Sequence, residues 1–322
     1  MSGLELMVYR LNIQARAQTW ADLEPAELKR RAVEAARDGD VQALWNMTEA
    51  YVLLQGLVAR VSEHTLRVYR TGVALFTEYA RPAGVQLLRP RPNHGVAYAR
   101  WLEAKGLSTS SVRVRLAAAR SLYAALRWAG ATDAVPFADV RPGRDPVART
   151  EKRKPYSPDD LTQLLAHAHP EEAVMVLLGA HAGLRSSEIA GLPRTDLHLD
   201  EPEPFLVVTG KRQKRQSVPL SGTLTSALRR WLALSPGVGP QVLSGSSADY
   251  VQERMRQLCA RAGVRYAGRH VHGLRRTAGT QVYAATGDLL AVRDHLRHAD
   301  ITSSEIYVEY ARKGKKSVVS DW

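Results

Sequence analysis

Apolar side chains recur every three or four residues over most of this chain, a spacing typical of amphipathic helices. In residues 1–60, Pro25 begins a predicted helix that Gly39 ends, and Asp40 can cap the helix that follows. The same spacing continues through residues 61–140, where long helices are predicted on either side of a Pro-rich break. The pattern therefore predicts a helical domain preceded by a helical extension, to which it assigns no role.

Residues 141–156 interrupt this periodicity and predict a linker. They combine three prolines with six Arg and Lys residues, so helix and strand are both disfavoured. A helix begins again with Ser157 as its cap and Pro158 in its first turn. Residues 157–322 are therefore expected to form a second domain.

The second domain mixes helical and strand periodicities. A nearly all-apolar helix, EEAVMVLLGAHAG, indicates buried core and ends at Gly183. Short strands are predicted at residues 197–199, 205–209 and 217–220, and helices at 223–234 and 248–262. The expected fold is mainly α with a small antiparallel β-sheet, in which a helical N-terminal domain precedes a mixed α/β domain.

The charge of the chain indicates a polyanionic partner. Lys and Arg outnumber Asp and Glu by 45 to 32, which gives a net charge of +13 over 322 residues. Residues 1–60 carry seven basic and eight acidic residues, so all of the excess lies beyond them. Because no long apolar run or basic amphipathic anchor appears, the sequence favours nucleic acid over a membrane.

Cysteine content and short motifs exclude other classes of protein. Cys259 is the only cysteine, which excludes an internal disulfide and a Cys-rich zinc site. The N-terminus lacks the basic start, apolar run and cleavage site of a signal peptide, so a cytoplasmic, nucleoid-associated location is expected. There is no GxxxxGK[ST] loop and no metal-ligand cluster, so no cofactor is expected.

Candidate chemistry is concentrated near the C-terminus. His272 and Arg275 are three residues apart, so a helix would place an acid/base and a fixed cation on one face. His298 closes a later predicted helix, and Tyr307 follows in a short helix beyond it. Cationic groups can hold the non-bridging oxygens of a phosphodiester while a Tyr oxygen attacks phosphorus. This pattern favours phosphoryl transfer on a nucleic acid.

Two further basic residues lie upstream. Arg185 follows the buried helix, where an unpaired cation requires an anionic partner; an ion pair with Glu188 is the alternative. Lys211 follows Gly210 at the tip of the predicted hairpin, and Lys214 in the same loop is its alternative. A lysine there can give a proton to a leaving oxygen, which a guanidinium cannot practically do.

Together these residues resemble the catalytic set of the tyrosine recombinase (phage integrase) family, especially its Xer-like site-specific recombinases. The resemblance covers roughly residues 60–310. It depends on six positions in chain order: Arg185, Lys211, His272, Arg275, His298 and Tyr307. It implies a helical core-binding domain that clamps DNA and a mixed α/β catalytic domain. The implied activity is cleavage and rejoining of DNA strands through a 3′-phosphotyrosyl intermediate.

The resemblance also implies how the site works. Tyr307 would attack the scissile phosphate, and Arg185 and Arg275 would stabilise the charge of the pentacoordinate state. Lys211 would protonate the departing 5′ oxygen. Glu188 would support the site from behind the residues that touch the phosphate.

The two histidines and the choice of tyrosine complete the implied site. His272 would act as acid/base toward Tyr307, and His298 would donate to a non-bridging oxygen. A satisfied histidine at a helix C-terminus is the alternative for His298. Tyr310 lies one turn beyond Tyr307 and is the alternative nucleophile, but the distance from His298 matches the family for Tyr307.

Two residues depart from the family pattern. Arg276 stands where many relatives have a histidine, and Arg297 precedes His298 where relatives often have glycine. Neither replaces a catalytic group. Both are expected to alter local packing.

Other basic residues are predicted to contact DNA, with a solvated charged surface as the alternative. They are Arg67, Arg70, Arg113, Arg115 and Arg120 in the helical domain, Lys152, Arg153 and Lys154 in the linker, and Arg212, Lys214 and Arg215 in the hairpin. The resemblance further implies double-stranded DNA as the partner. It also implies a homo- or hetero-tetramer on DNA in which the C-terminal tail docks on a neighbouring protomer.

Two other functions are compatible with the same residues. A type IB topoisomerase would nick and reseal one strand, and a catalytically inactive relative would bind DNA without cleaving it. Relaxation of supercoiled DNA without exchange between two sites would favour the first. Failure to form a covalent adduct would favour the second.

Overall fold

The computed structural model of the protein describes residues 15–313 except 16, 56–60, 146, 148–150, 152–153, 211–213 and 238, with only the backbone for 311–313. The chain divides into two compact units, Met1–Pro146 and Val147–Trp322. Within the described ranges, no helix is both long and apolar enough to span a membrane.

The regular elements described in the first unit are all helices. Its helices are α1 (Pro25–Asp38), α2 (Val41–Leu54), α3 (Glu63–Ala80), α4 (His94–Ala104) and α5 (Thr109–Trp128). The predicted cap at Asp40 is confirmed, since its carboxylate accepts from the backbone N–H groups of Gln42 and Ala43 at 2.9 and 3.1 Å. Ser108 caps α5 in the same way by accepting from the Ser111 N–H at 3.3 Å.

The described parts of residues 1–60 and of residues 61–140, two ranges that the hydrophobic pattern separates, contribute to one core in the first unit. Leu44 and Met47 of α2 are completely buried, and α2 packs against both α3 and α5. Phe76 lies at the centre of the same core, with its ring edge-on to Tyr98 at 5.0 Å between centroids. The predicted helical extension thus contributes α2 to this core, a contact that periodicity alone does not reveal, because it predicts a buried helix face but not the surface that covers it.

The second unit combines helices with one small sheet. Its helices are α6 (Pro158–Ala166), α7 (Pro170–Ala180), α8 (Ser186–Gly191), α9 (Gly222–Leu234), α10 (Ala248–Arg261), α11 (His270–Thr286), α12 (Leu289–Leu296) and α13 (Ile306–Lys313). The strands are β1 (Leu197–His198), β2 (Phe205–Thr209) and β3 (Arg215–Pro219), in antiparallel order β1-β2-β3. The expected mainly α fold with a small antiparallel sheet is confirmed.

Helices α7 and α11 form the centre of the second unit. Nearly every residue of α7 is buried, and α11 packs against α7, α12 and α13. The middle of α11 is tied to Tyr156, which is 2% exposed although the sequence places it in the linker. The Tyr156 N–H donates to Thr277 Oγ1 at 2.9 Å, and the Thr277 hydroxyl donates to the Tyr156 carbonyl at 2.8 Å. The linker prediction is thus wrong at its C-terminal end, because Tyr156 belongs to the core that fixes α11.

Candidate active site

Arg275 on α11 is a completely buried cation at the centre of the candidate site. Its side chain, 1% exposed, donates from Nη1 to the Gly183 carbonyl and from Nη2 to the Leu296 carbonyl. It therefore joins the turn after α7 to the end of α12. Burial, followed by the nearby charges of Arg185 and Arg297, lowers the pKa of Arg275 to about 9. The guanidinium still carries its charge at neutral pH, so it presents a fixed positive charge in a dry environment.

Arg185 is the N-cap residue of α8 and is held by Glu188. Its backbone N–H donates to Glu188 Oε2 at 2.9 Å, and its Nη1 donates to Glu188 Oε1 at 2.5 Å. The ion pair considered as an alternative is therefore present, but the Arg185 side chain remains 39% exposed. Burial alone would raise the pKa of Glu188; the Arg185 N–H and the charges of Arg185 and Arg297 outweigh it and lower that pKa. Glu188 is thus a carboxylate, and Arg185 keeps a face for a second anion.

Tyr307 lies at the start of α13 and is 3% exposed. Its ring is stacked on His298 at 6.3 Å between centroids with 19° between planes, and Tyr310 lies 6.3 Å away in a tilted arrangement. Burial raises the pKa of the Tyr307 phenol, although the charges of Arg275, Arg276 and Arg185 act in the opposite direction. The phenol is therefore protonated at neutral pH and needs a proton acceptor before it can act as a nucleophile.

His298 lies beside the Tyr307 ring as a neutral imidazole. Burial and the charges of Arg275, Arg185 and Arg297 lower the pKa of His298 to about 4. Its Nδ1 is 2.8 Å from Ser304 Oγ, which is completely buried. Because His298 is uncharged, it takes part in the site through hydrogen bonds and adds no fourth positive charge.

The structure brings together four of the six predicted residues: Arg185, Arg275, His298 and Tyr307. His272 lies one turn before Arg275 on α11 and is exposed, unlike its buried neighbour. Lys211 lies outside the described residues, and its alternative Lys214, the first described residue after that gap, is exposed. Among the described residues, no three His, Cys, Asp or Glu side chains are placed to hold a metal ion.

Sequence reasoning misses the contributions of Arg297 and Ser304. Arg297 is expected only to alter packing, yet its Nη2 lies 3.2 Å from Glu188 Oε2 and its charge acts on His298. Its place next to His298 is a signal that could have identified it. Ser304 carries no such signal, because only the turn before α13 brings its hydroxyl to the imidazole.

Gly279 on α11 provides the space that Tyr307 occupies. A Cβ at this position would lie 2.6 Å from Tyr307 Cε1, 2.7 Å from Tyr307 Cζ and 2.7 Å from Leu296 Cδ1. These separations are shorter than any non-bonded carbon contact, so a larger residue must displace the ring. The absence of a side chain at Gly279 therefore decides where the phenol of Tyr307 lies.

Gly279→Ala is expected to lower the rate of covalent adduct formation about 100-fold, because a shift of the phenol by about an ångström misaligns the attack. The rate would be measured in a single turnover on nicked DNA. Gly222→Ala is the matched control, since Gly222 is also helical and a Cβ added there would have no other atom within 4 Å. Equal rates for the two variants would contradict the role assigned to Gly279.

The predicted DNA-contacting residues divide into exposed groups and groups with partners inside the protein. Arg67, Arg113 and Lys154 are exposed, whereas Lys152, Arg153 and Arg212 lie outside the described residues. Arg70 donates to Gln42, Arg115 to the Val68 carbonyl, Arg120 to the Phe137 and Val140 carbonyls, and Arg215 to Asp196. Arg115 and Arg120 thus have a structural role that the charge pattern does not indicate, and their contact with DNA stays a prediction.

Comparison with known proteins assigns both halves of the chain to phage integrases. Residues 156–313 match the phage integrase family, and residues 54–130 match the phage integrase N-terminal SAM-like domain. Tyrosine recombinase XerC of Xanthomonas campestris pv. campestris (strain B100) is 30% identical over 260 residues, covering 77% of this chain and 79% of that protein. XerC of Pseudomonas aeruginosa is 31% identical over 264 residues, covering 77% and 84%.

A solved structure has the same fold over nearly the whole chain. It is the XerH site-specific recombinase in a post-cleavage complex with a palindromic difH substrate, with a TM-score of 0.66 and 18% identity over 94% of this chain and 92% of that one. The chain belongs to the phage integrase family of tyrosine recombinases, the enzymes that carry out site-specific DNA recombination.

Proposed function

We propose that Arg185, Arg275, His298 and Tyr307 form the site at which this recombinase cleaves and rejoins DNA. The observation that carries the proposal is the buried Arg275 guanidinium, whose charge acts on the Tyr307 phenol next to a half-exposed Arg185. Two guanidinium groups beside one phenol suit a phosphodiester, since they can hold both non-bridging oxygens while the phenol attacks phosphorus.

The chemical step exchanges one phosphoester for another. The Tyr307 oxygen bonds to the scissile phosphorus as the bond to the 5′ oxygen breaks, which leaves a 3′-phosphotyrosyl link and a free 5′ hydroxyl. The phenolic proton passes to His272, and Lys211 protonates the departing oxygen, with Lys214 as its alternative. Attack by the 5′ hydroxyl of another strand reverses the step and releases Tyr307. Because the phosphoester is conserved, no nucleotide hydrolysis is needed.

His298 acts in this mechanism as a neutral hydrogen-bond donor. A Ser304 hydroxyl that donates to Nδ1 leaves the imidazole proton on Nε2, where it can reach a non-bridging oxygen. The low pKa of His298, about 4, supports this assignment because the ring stays uncharged through the physiological range. In this proposal Ser304 is the donor, and His298 is the tautomer that donates from Nε2.

The partner we propose is double-stranded DNA, which the enzyme meets in the nucleoid. The net charge of +13 supports this partner, and exposed Arg67, Arg113 and Lys154 are the favoured phosphate contacts. A lambda integrase of the same fold is described as a tetramer bound to a Holliday junction, with a TM-score of 0.63. We propose a tetramer on DNA for this chain, with its C-terminal tail docked on a neighbouring protomer.

The experiment that tests the function begins with DNA covalently attached to the enzyme in cells. Sequencing that DNA identifies the site, and a synthetic duplex with a nick near it then traps the cleaved strand. A protein linked to the 3′ side with a free 5′ hydroxyl on the other side is expected. A plasmid with two copies of the site should recombine. Relaxation of a one-site plasmid without exchange would instead indicate a topoisomerase, and no adduct at all an inactive DNA-binding protein.

A further inference from the structure

Arg297 adopts a backbone conformation that normally favours glycine. It ends α12 with φ 56° and ψ 45°, in the left-handed region that residues with a Cβ rarely adopt. Glycine would satisfy this turn without steric conflict. An arginine in such a position indicates a role for the side chain that is separate from forming the turn.

The side chain of Arg297 is buried against the catalytic residues. It is 5% exposed, and its Nη1 donates to the Ala182 carbonyl at 3.2 Å and to the His295 carbonyl at 3.1 Å. Its Nη2 donates to the Gly183 carbonyl and to Glu188 Oε2, both at 3.2 Å. The Gly183 carbonyl also accepts from Arg275. Arg297 therefore braces the turn that holds Arg275 and the carboxylate that holds Arg185.

The charge balance around Glu188 shows why Arg297 matters as a partner of Glu188 in addition to Arg185. Glu188 is 6% exposed, and Arg185 and Arg297 are the cations that pair with it. When Arg185 turns toward a phosphate, its 2.5 Å contact with Glu188 is weakened. A buried carboxylate without a partner is strongly unfavourable, so without Arg297 the Glu188 charge would hold Arg185 back from the phosphate.

We propose that Arg297 is a positioning residue of the recombination site, which neutralises Glu188 so that Arg185 is available to the scissile phosphate. The inference rests on the proposed function, because it requires a phosphate at Arg185. Arg297 does not touch the substrate in this scheme. It acts through Glu188 and through the carbonyl of Gly183.

Three variants of Arg297 separate charge from shape. Arg297→Gly suits the backbone and removes the side chain, Arg297→Gln keeps donors without charge, and Arg297→Lys keeps charge in one compact head group. Arg293→Gln is the matched control, because Arg293 lies on the same helix, is 37% exposed and pairs with Asp294 on the surface. The measurements are the single-turnover rate of adduct formation at saturating DNA, the affinity for the same DNA, and the melting temperature.

Arg297→Gly and Arg297→Gln are expected to lower the rate of adduct formation at saturating DNA about 10- to 100-fold, with little change in DNA affinity. A loss of this size is typical when a residue that orients a directly binding side chain is removed. Arg297→Lys should restore most of the rate, and Arg293→Gln should match the wild type. A wild-type rate in Arg297→Gly, or equal rates in the Gln and Lys variants, would overturn the inference. Absence of any adduct with the wild-type enzyme would instead overturn the proposed function.

Discussion

Replacing Tyr307 with Phe is expected to abolish covalent adduct formation, a loss of at least about 10⁴-fold, because the only atom removed is the nucleophile. The ring of Tyr307 fills the space left by Gly279 and is 3% exposed. Phe retains that packing, so the fold and the affinity for DNA should be unchanged. The measurement is the yield of protein–DNA adduct on a nicked duplex, separated under denaturing conditions.

Tyr310→Phe is the control for this experiment, since Tyr310 lies on the same helix with its ring 6.3 Å from that of Tyr307. It should form adduct at close to the wild-type rate. An adduct formed by Tyr307→Phe but not by Tyr310→Phe would show that the nucleophile has been misassigned. Loss of adduct in both variants would indicate that Tyr310 also positions the phenol.

The parts of the fold that the sequence predicts correctly are those decided by local interactions. Asp40 and Ser157 cap helices because a short polar side chain reaches the free N–H groups of the following turn. Strand β2 is predicted over its full length, since its short run of aromatic and β-branched residues is typical of a strand. In each case the residues that interact lie within a few positions of one another.

The parts that the sequence does not predict depend on contacts between distant positions. Tyr156 looks like the end of a linker because its neighbours are basic and Pro-rich, yet a pair of hydrogen bonds with Thr277 places it in the core. Arg297 looks like a departure from the family pattern. Its contact with Glu188 exists only because the left-handed turn after α12 aims the side chain back at α8.

The candidate site is predictable as a set of residues but not as a set of charge states. The structure makes His298 neutral, keeps Tyr307 protonated and leaves the positive charge on the arginines. These states follow from burial in the same small region, because each positive charge there disfavours the next. In the proposed mechanism the site is therefore prepared for an anion before DNA arrives, and a phosphate relieves the repulsion among its cations.

Arg275→Ala is expected to have the second-largest effect and to alter both rate and stability. It removes the buried guanidinium, and with it the donor to the Leu296 carbonyl at the end of α12. Loss of a preorganised charge at the phosphate should lower adduct formation about 10³-fold. A buried carbonyl left without its donor should reduce the free energy of unfolding by about 1–3 kcal/mol.

Arg275→Lys separates these two effects, because a lysine keeps a positive charge but cannot donate to the Gly183 and Leu296 carbonyls in the fixed fork of a guanidinium. We expect it to recover part of the stability and less of the rate. Urea unfolding and single-turnover cleavage measure the two quantities, and Arg256→Ala, which removes an exposed cation paired with Glu253, should change neither. Full activity in Arg275→Lys would show that charge alone suffices and that the joining of the two turns by Arg275 is not part of catalysis.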